Sequence, residues 1–241
     1  MRIPVVLTRL LMAMPLALGA CAPKYYAPNT QNVPLLTRRS DYSAGAAVGD
    51  SRIEVQGAYA VTNELALSVN AAHYDKRDDV DGDGGGGGLL EVGFGYQRPL
   101  DEYFHIGVFG LLGGGSVENH FPSTVASNPG TSGEIEAKLT RFGVQPFIGF
   151  RSRFFEAAAS VRVVGLRYSD ITGSLVFGGV DQVQLLSGQT EHTLLEPALT
   201  VRGGFETLKL QLQMGWSANK GHANFRQDEG YLTAALVYSP N

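Results

Sequence analysis

The stretch LKLQLQMGWS, residues 208–217, decides the fold. Leu208, Leu210, Leu212, Met214 and Trp216 fall on one face, and Lys209, Gln211, Gln213, Gly215 and Ser217 on the other. A period of two belongs to a β-strand with one apolar and one polar face. The same grammar runs through RIEVQGAYAVT, residues 52–62, where Ile53, Val55, Tyr59 and Val61 oppose Glu54, Gln56, Ala58 and Ala60. No stretch beyond the first twenty residues shows helical periodicity.

Working outward, ten strands are expected at about 42–49, 52–62, 64–75, 89–98, 103–118, 134–151, 154–171, 191–206, 208–218 and 230–238. The connections between them are informative. Those at 62–63, 99–102, 152–153 and 207 are very short. Those at 76–88, 119–133, 172–190 and 219–229 are long and rich in Gly, Ser, Asn and Asp, and a tight turn at Asp50-Ser51 joins the first two strands. Short and long connections that alternate predict an all-β fold, a single antiparallel up-and-down β-barrel with short periplasmic turns and long external loops. The first strand is short and the segment 172–190 contains apolar SLVFGGV and VQLL, so one misread hairpin would make the count eight or twelve. With ten strands, both termini belong on the short-turn side, where a lipid-bearing Cys21 in the inner leaflet would also be.

The polar face carries mostly Gln, Ser, Asn, Gly and Ala, with scattered charges at Glu54, Glu91, Glu156, Arg162, Arg202, Glu206 and Lys209. A soluble barrel of the opposite polarity would coat its exterior with Lys and Glu. This pattern fits a narrow lumen filled by side chains that pair with one another. Two aromatic girdles are expected at two membrane interfaces. Tyr59, Tyr103, Phe104, Phe154, Phe155 and Phe205 lie near the short turns, and Tyr74, Phe121, Tyr168, Trp216 and Tyr231 nearer the long loops. Composition agrees. Asp, Glu, Lys and Arg make up 17% of the chain, below the usual quarter, and glycine is 31 of 241 residues. With a net charge of −4 and no basic run, nucleic acid is excluded as an expected partner.

The chain opens MRIPVVLTRLLMAMPLALGAC. Arg2 and Arg9 precede an apolar run from Leu10 to Leu18, too short to span a bilayer, so residues 1–20 read as a secretory signal. Leu18-Gly19-Ala20-Cys21 has the form of a lipobox: an aliphatic residue, two small residues that admit the peptidase, and a thiol that accepts a diacylglyceryl group. Cys21 is the single cysteine, which excludes internal disulfides and a cysteine metal cluster. A covalent lipid there, with palmitate-like acyl chains each contributing about 0.8 kcal/mol per buried CH₂, would anchor the protein durably. Ala22 follows in place of the Asp of an inner-membrane retention signal, so an outer-membrane location in a Gram-negative bacterium is expected. Residues 21–41 then form the lipidated cysteine and a Pro/Asn-rich tether or strap, and residues 42–241 the barrel. Three prolines exclude a helix or core strand, and the twenty residues from Ala22 to Asp41 reach up to about 70 Å extended.

The words YYAPNTQNVPLL, GDSRIEVQGAYAVTNELALSVNAA and EVGFGYQRPL resemble a group of barrel-like outer-membrane lipoproteins of the Bacteroidota type. The resemblance covers about residues 18–120. It implies a compartment and a fold and no activity, since most members of that group have no assigned function.

Motifs for chemistry are sparse. There is no Gly-x-Ser-x-Gly elbow, no His-Glu-x-x-His and no Walker loop, and GLLGGGS at 110–116 lacks the Lys and the following helix of a phosphate cradle. His73, His105, His120, His192 and His222 show no paired spacing. Asp79, Asp81 and Asp83, followed by Gly84, match the first half of a calcium loop, but position twelve is Leu90 and the flanks read as strands. A solvated external loop is the better reading of DDVDGDGGGGG, with calcium as the one metal kept in view. The expected function is that of a non-enzymatic outer-membrane barrel lipoprotein, a structural or accessory subunit of an envelope complex whose partners are membrane lipid and other envelope proteins. A small-solute channel and a periplasmic barrel carrying a lipophilic ligand are the alternatives.

Overall fold

The computed structural model describes residues 22–77, 82–122, 130–221 and 224–240. Ten antiparallel strands close into a barrel: β1 (Tyr42–Gly49), β2 (Arg52–Ala60), β3 (Leu65–Arg77), β4 (Gly84–Pro99), β5 (Phe104–Phe121), β6 (Gly133–Arg151), β7 (Phe155–Gly173), β8 (Glu191–Gly204), β9 (Leu208–Trp216) and β10 (Gly230–Tyr238). Each strand pairs with its neighbours in sequence, and β10 pairs with β1, from Ala44 opposite Tyr238 to Gly49 opposite Thr233. Closure leaves no strand edge exposed to recruit another chain. One bulge interrupts β6 and β7 between Glu136 and Lys138.

The two faces of the wall separate as the alternation predicts. Along β9, Leu208, Leu210, Leu212, Met214 and Trp216 point out and are exposed, while Lys209, Gln211 and Gln213 point in and are buried. Ile53, Val55, Leu67, Val92, Phe94, Phe142, Val144, Val163 and Leu199 extend the same apolar belt around the barrel. A belt this large does not face water on a soluble protein; it has the polarity of a membrane-spanning barrel. The short turns gather at one end. In one of them Asp101 Oδ1 accepts from the backbone N–H groups of Tyr103 and Phe104 at 2.8 Å each, which holds its carboxyl below the usual range.

Four sequence expectations change. The glycine run is strand and not loop: Gly84–Gly88 pair with Arg77–His73 on one side and with His120–Ser116 on the other. The reason is close approach of the neighbouring backbones. A Cβ on Gly87 would overlap the Ser116 carbonyl, and one on Gly115 the Gly88 carbonyl, so only glycine admits this spacing. The connection 172–190 is not plain loop. It holds a small hairpin, Val176–Phe177 with Val180–Asp181, and a helix α1 (Gln182–Gly188). Asp181 caps that helix by accepting from the Gln184 N–H at 3.0 Å, and seven residues are too few for a helical period to show.

The second aromatic girdle also differs. Tyr59, Tyr103, Phe104, Phe154, Phe155 and Phe205 are exposed at the short-turn end, as a girdle requires. Of the five aromatics expected at the other end only Trp216 faces outward; Phe121, Tyr168 and Tyr231 are buried in the lumen, and Tyr74 packs against the cluster that holds Phe121 and Tyr168. Glu206 is the fourth: it lies in an exposed turn and pairs with Arg153 at 3.1 Å, outside the lumen.

Candidate functional site

The lumen is occupied by the chain itself. Residues 22–36 run through the barrel axis, and Tyr25, Tyr26, Asn29, Thr30, Gln31, Asn32, Val33, Leu35 and Leu36 are all buried. The segment expected as a tether or strap is therefore an internal plug. It has no regular secondary structure, so its peptide groups need partners from elsewhere. The inward side chains of the wall supply them. Asn119 accepts from the Lys24 N–H at 2.8 Å and donates to the Lys24 carbonyl at 3.0 Å, and Gln213 makes the same two contacts with Gln31 at 2.6 and 2.9 Å. In each case one side-chain amide acts as a peptide group of a missing strand. Further carbonyls are met singly: that of Tyr25 by Tyr168, Pro28 by Arg52, Asn29 by Arg162, Thr30 by Gln56, Asn32 by Gln145, Leu35 by Arg151 and Leu36 by Gln97. The prolines of the segment, Pro23, Pro28 and Pro34, remove three donors that would otherwise need satisfying in this enclosed space.

Three layers of different chemistry hold the plug. At the long-loop end Tyr25 and Tyr26 enter a cluster with Val117, Phe121, Leu166, Tyr168, Leu175 and Leu186, and Tyr25 Oη donates to Gln182 of α1 at 2.8 Å. This explains the inward turn of Phe121 and Tyr168: the plug needs apolar packing there more than the interface needs a girdle. At mid-height sits a fully buried quartet. Glu196 Oε2 lies 2.7 Å from Arg162 Nε and 3.4 Å from Arg141 Nη2, and Glu91 Oε2 lies 3.2 Å from Arg141 Nη1. Two carboxylates and two guanidiniums balance, and both arginines also grip Asn29, Arg141 its side-chain oxygen at 2.6 Å and Arg162 its carbonyl at 3.0 Å. Near the short turns Val33, Leu35 and Leu36 pack on Phe109, Phe147 and Ala66. Below them Glu156 takes Arg202 at 3.0 Å and Lys209 at 3.2 Å.

The direction of the plug is fixed by its ends. Tyr25 N–H donates to the Arg226 carbonyl and Asp228 N–H to the Tyr26 carbonyl, both at 2.9 Å, in the long connection between β9 and β10. At the other end Ser40 N–H donates to the Ala60 carbonyl at the lower rim, where β1 begins. The barrel strands start and end on the short-turn side, as ten strands require. Ala22, however, lies at the long-loop end, opposite to the expectation for the start of the mature chain, because the plug carries the chain back through the full height of the barrel.

Among the earlier candidates, Cys21, Asp79, Asp81 and His222 lie outside the described residues. Asp83 is buried at the start of β4. His105 is buried near the short turns, His120 stands 3.4 Å from Glu134 on the rim, and His192 stacks on Phe225 at 3.7 Å. These histidines are dispersed over the barrel, and among the described residues no three His, Cys, Asp or Glu side chains are placed to hold a metal ion. The plug contacts are what residue-by-residue reading missed. Their one signal was the excess of Gln and Asn on the inward face.

No protein-family model matches the chain, and no curated protein matches it. Among solved structures it is similar to the N-terminal β-barrel domain of Pseudomonas aeruginosa OprF, at 10% identity over 84% of this chain and 98% of that one, with a TM-score of 0.31. KdgM porin aligns at 8% identity over 83% and 99%, TM-score 0.37. LpxR from Salmonella typhimurium aligns at 10% identity over 83% and 99%, TM-score 0.35. At these scores the likenesses bear on neither activity nor partners, and the architecture rests on the strand pairing itself.

Proposed function

We propose that this chain is a closed, non-enzymatic outer-membrane β-barrel lipoprotein, anchored by acyl chains on Cys21 and serving as a structural or accessory subunit of the cell envelope. The observation that carries this reading is the plug. A segment buried along the barrel axis, its carbonyls taken one after another by wall side chains, is a built filler of the lumen and not a transient occupant. The apolar exterior supports a membrane location over a soluble carrier, whose apolar face would line the cavity.

Reconstitution in planar lipid bilayers tests it. The intact protein is expected to be silent, and a variant lacking residues 22–37 to conduct, because removal exposes a charged, water-accessible lumen. Steady conductance from the intact chain would establish the channel reading instead. A Cys21→Ser variant is expected to stay in the membrane fraction by virtue of its barrel; its release as a water-soluble protein would support a periplasmic carrier.

A further inference from the structure

The plug has a consequence for membrane topology. Residues 22–24 reach the upper end of the lumen beside the rim of β9 and residues 224–229, with Tyr26 just below them bridged to Gln227 in parallel fashion. The wall continues past this point. The ladder of β9 and β10 runs to Trp216 opposite Gly230 and is extended by Ser217 N–H, which donates to the Glu229 carbonyl at 2.8 Å, while Ala218 and Asn219 keep the register of β9 against β8. Against this rim lies a groove of about 820 Å³, lined by Ala22 and Lys24 of the plug, by the apolar Trp216 and Phe225, and by the charged Arg226 and Glu229. Trp216 belongs to the outward, lipid-facing row of β9. The first described residue of the plug thus lies at the same rim as the outward-facing Trp216.

Resting on the lipoprotein reading above, we infer that the acyl chains of Cys21 emerge at this rim and enter the leaflet on the long-loop side, the outer leaflet of the outer membrane. Cys21 is one trans peptide, about 3.8 Å in Cα distance, from Ala22. The distance to the other leaflet is decisive. The short-turn end lies roughly 45 Å away, since the eighteen residues of β5 at about 3.4 Å each, tilted near 40°, give that height. A single residue cannot cover it, and the chain that could is docked in the lumen. The long loops and the anchor therefore share one membrane face, so the protein is tethered at the cell surface.

The test places single additional cysteines at Lys24, Lys220 and Glu64, in the full chain with Cys21 retained. A membrane-impermeant maleimide is applied to intact cells and to permeabilised ones, the mass of the N-terminal peptide reports acylation, and heat-modifiable gel migration reports folding. Lys24 is a suitable reporter because its side chain is 37% exposed and its backbone, not its ammonium, makes the paired contact with Asn119. Expected are an acylated N-terminal peptide, labelling of Lys24→Cys and Lys220→Cys in intact cells, and labelling of Glu64→Cys only after permeabilisation. Acylated protein in which Lys220→Cys labels on intact cells and Lys24→Cys does not would overturn the inference alone. So would the reverse orientation, in which only Glu64→Cys labels on intact cells. An N-terminal peptide without acyl chains would remove the lipoprotein reading, and with it the inference, whatever face Lys24 reports.

Discussion

Replacing Glu196 with Gln is the sharpest probe of how the plug is held. The carboxylate has no solvent exposure and its Oε2 serves Arg162 Nε at 2.7 Å and Arg141 Nη2 at 3.4 Å. Glutamine keeps the size and one acceptor but leaves the two buried guanidiniums with Glu91 as their one remaining ion-pair partner among the described residues, its oxygens 3.2 Å from Arg141 and 3.8 Å from Arg162. A unit ion pair at about 4 Å contributes roughly 4 kcal/mol at an effective dielectric constant near 20. Loss of one partner of a buried pair typically costs about 3–5 kcal/mol, because the remaining charge is stranded. That range is the expectation here, and because both arginines grip Asn29, the loss falls on plug docking as well as on the wall. Trp216, the sole tryptophan, reports urea unfolding in lipid vesicles. The charge-balanced double variant Glu196→Gln with Arg162→Met is expected to lose less than the two single variants summed, with a coupling of about 1.5 kcal/mol or more. A cost for Glu196→Gln under about 1 kcal/mol, or strict additivity in the cycle, would refute the argument that these four charges hold one another and the plug.

The remaining predictions concern the wall and its neighbours. Leu212→Arg puts a cation on the outward row of β9 and is expected to destabilise the barrel in vesicles by about 2–4 kcal/mol if that position is near mid-bilayer, whereas a soluble barrel would tolerate it, as vesicle refolding yields would show. Gly149→Leu intrudes on Leu35, since even a Cβ there would overlap the Leu35 side chain. It is expected to loosen the lower end of the plug by about 1–3 kcal/mol and to speed tryptic cleavage at Arg38, while unchanged proteolysis would show that Leu35 does not seat there. Gly87→Val is expected to prevent heat-resistant folding by driving a side chain into the Ser116 carbonyl; wild-type gel migration would show that β4 and β5 do not approach so closely.

The strand count and bounds were legible because each strand has only two environments, lipid and lumen, and a two-fold contrast repeats every second residue. β1 and β10 end where the alternation ends, and the other strands depart from it by a few residues. The largest departure is the start of β4, where Gly84–Gly88 have no side chains to alternate. Glycine read locally means freedom, and only the neighbouring carbonyls at Ser116 and Gly88 turn it into a packing requirement. Tyr168, Phe121 and Tyr231 failed for a related reason. Being near a strand end does not tell which face a residue is on: Phe121 and Tyr168 pack into the cluster with Tyr25 and Tyr26, and Tyr231 Oη donates to Gln213 on the inner face.

The sequence by itself determined the barrel, its polarity and the ends at which short turns and long connections gather, since all three follow from periodicity and spacing along the chain. It contained the plug without revealing it. An extended, proline-bearing segment has no internal hydrogen bonds, so nothing local distinguishes a tether in water from a strand-like filler in a lumen. Arg52 and Gln56 apart, the wall side chains that take its carbonyls, among them Asn119, Gln213, Gln145, Gln97, Arg151 and Arg162, are about 60 to 180 residues away and come together only when the sheet closes. Tertiary structure alone decided that the inward amides serve a peptide backbone instead of one another, and that the start of the plug emerges among the long loops.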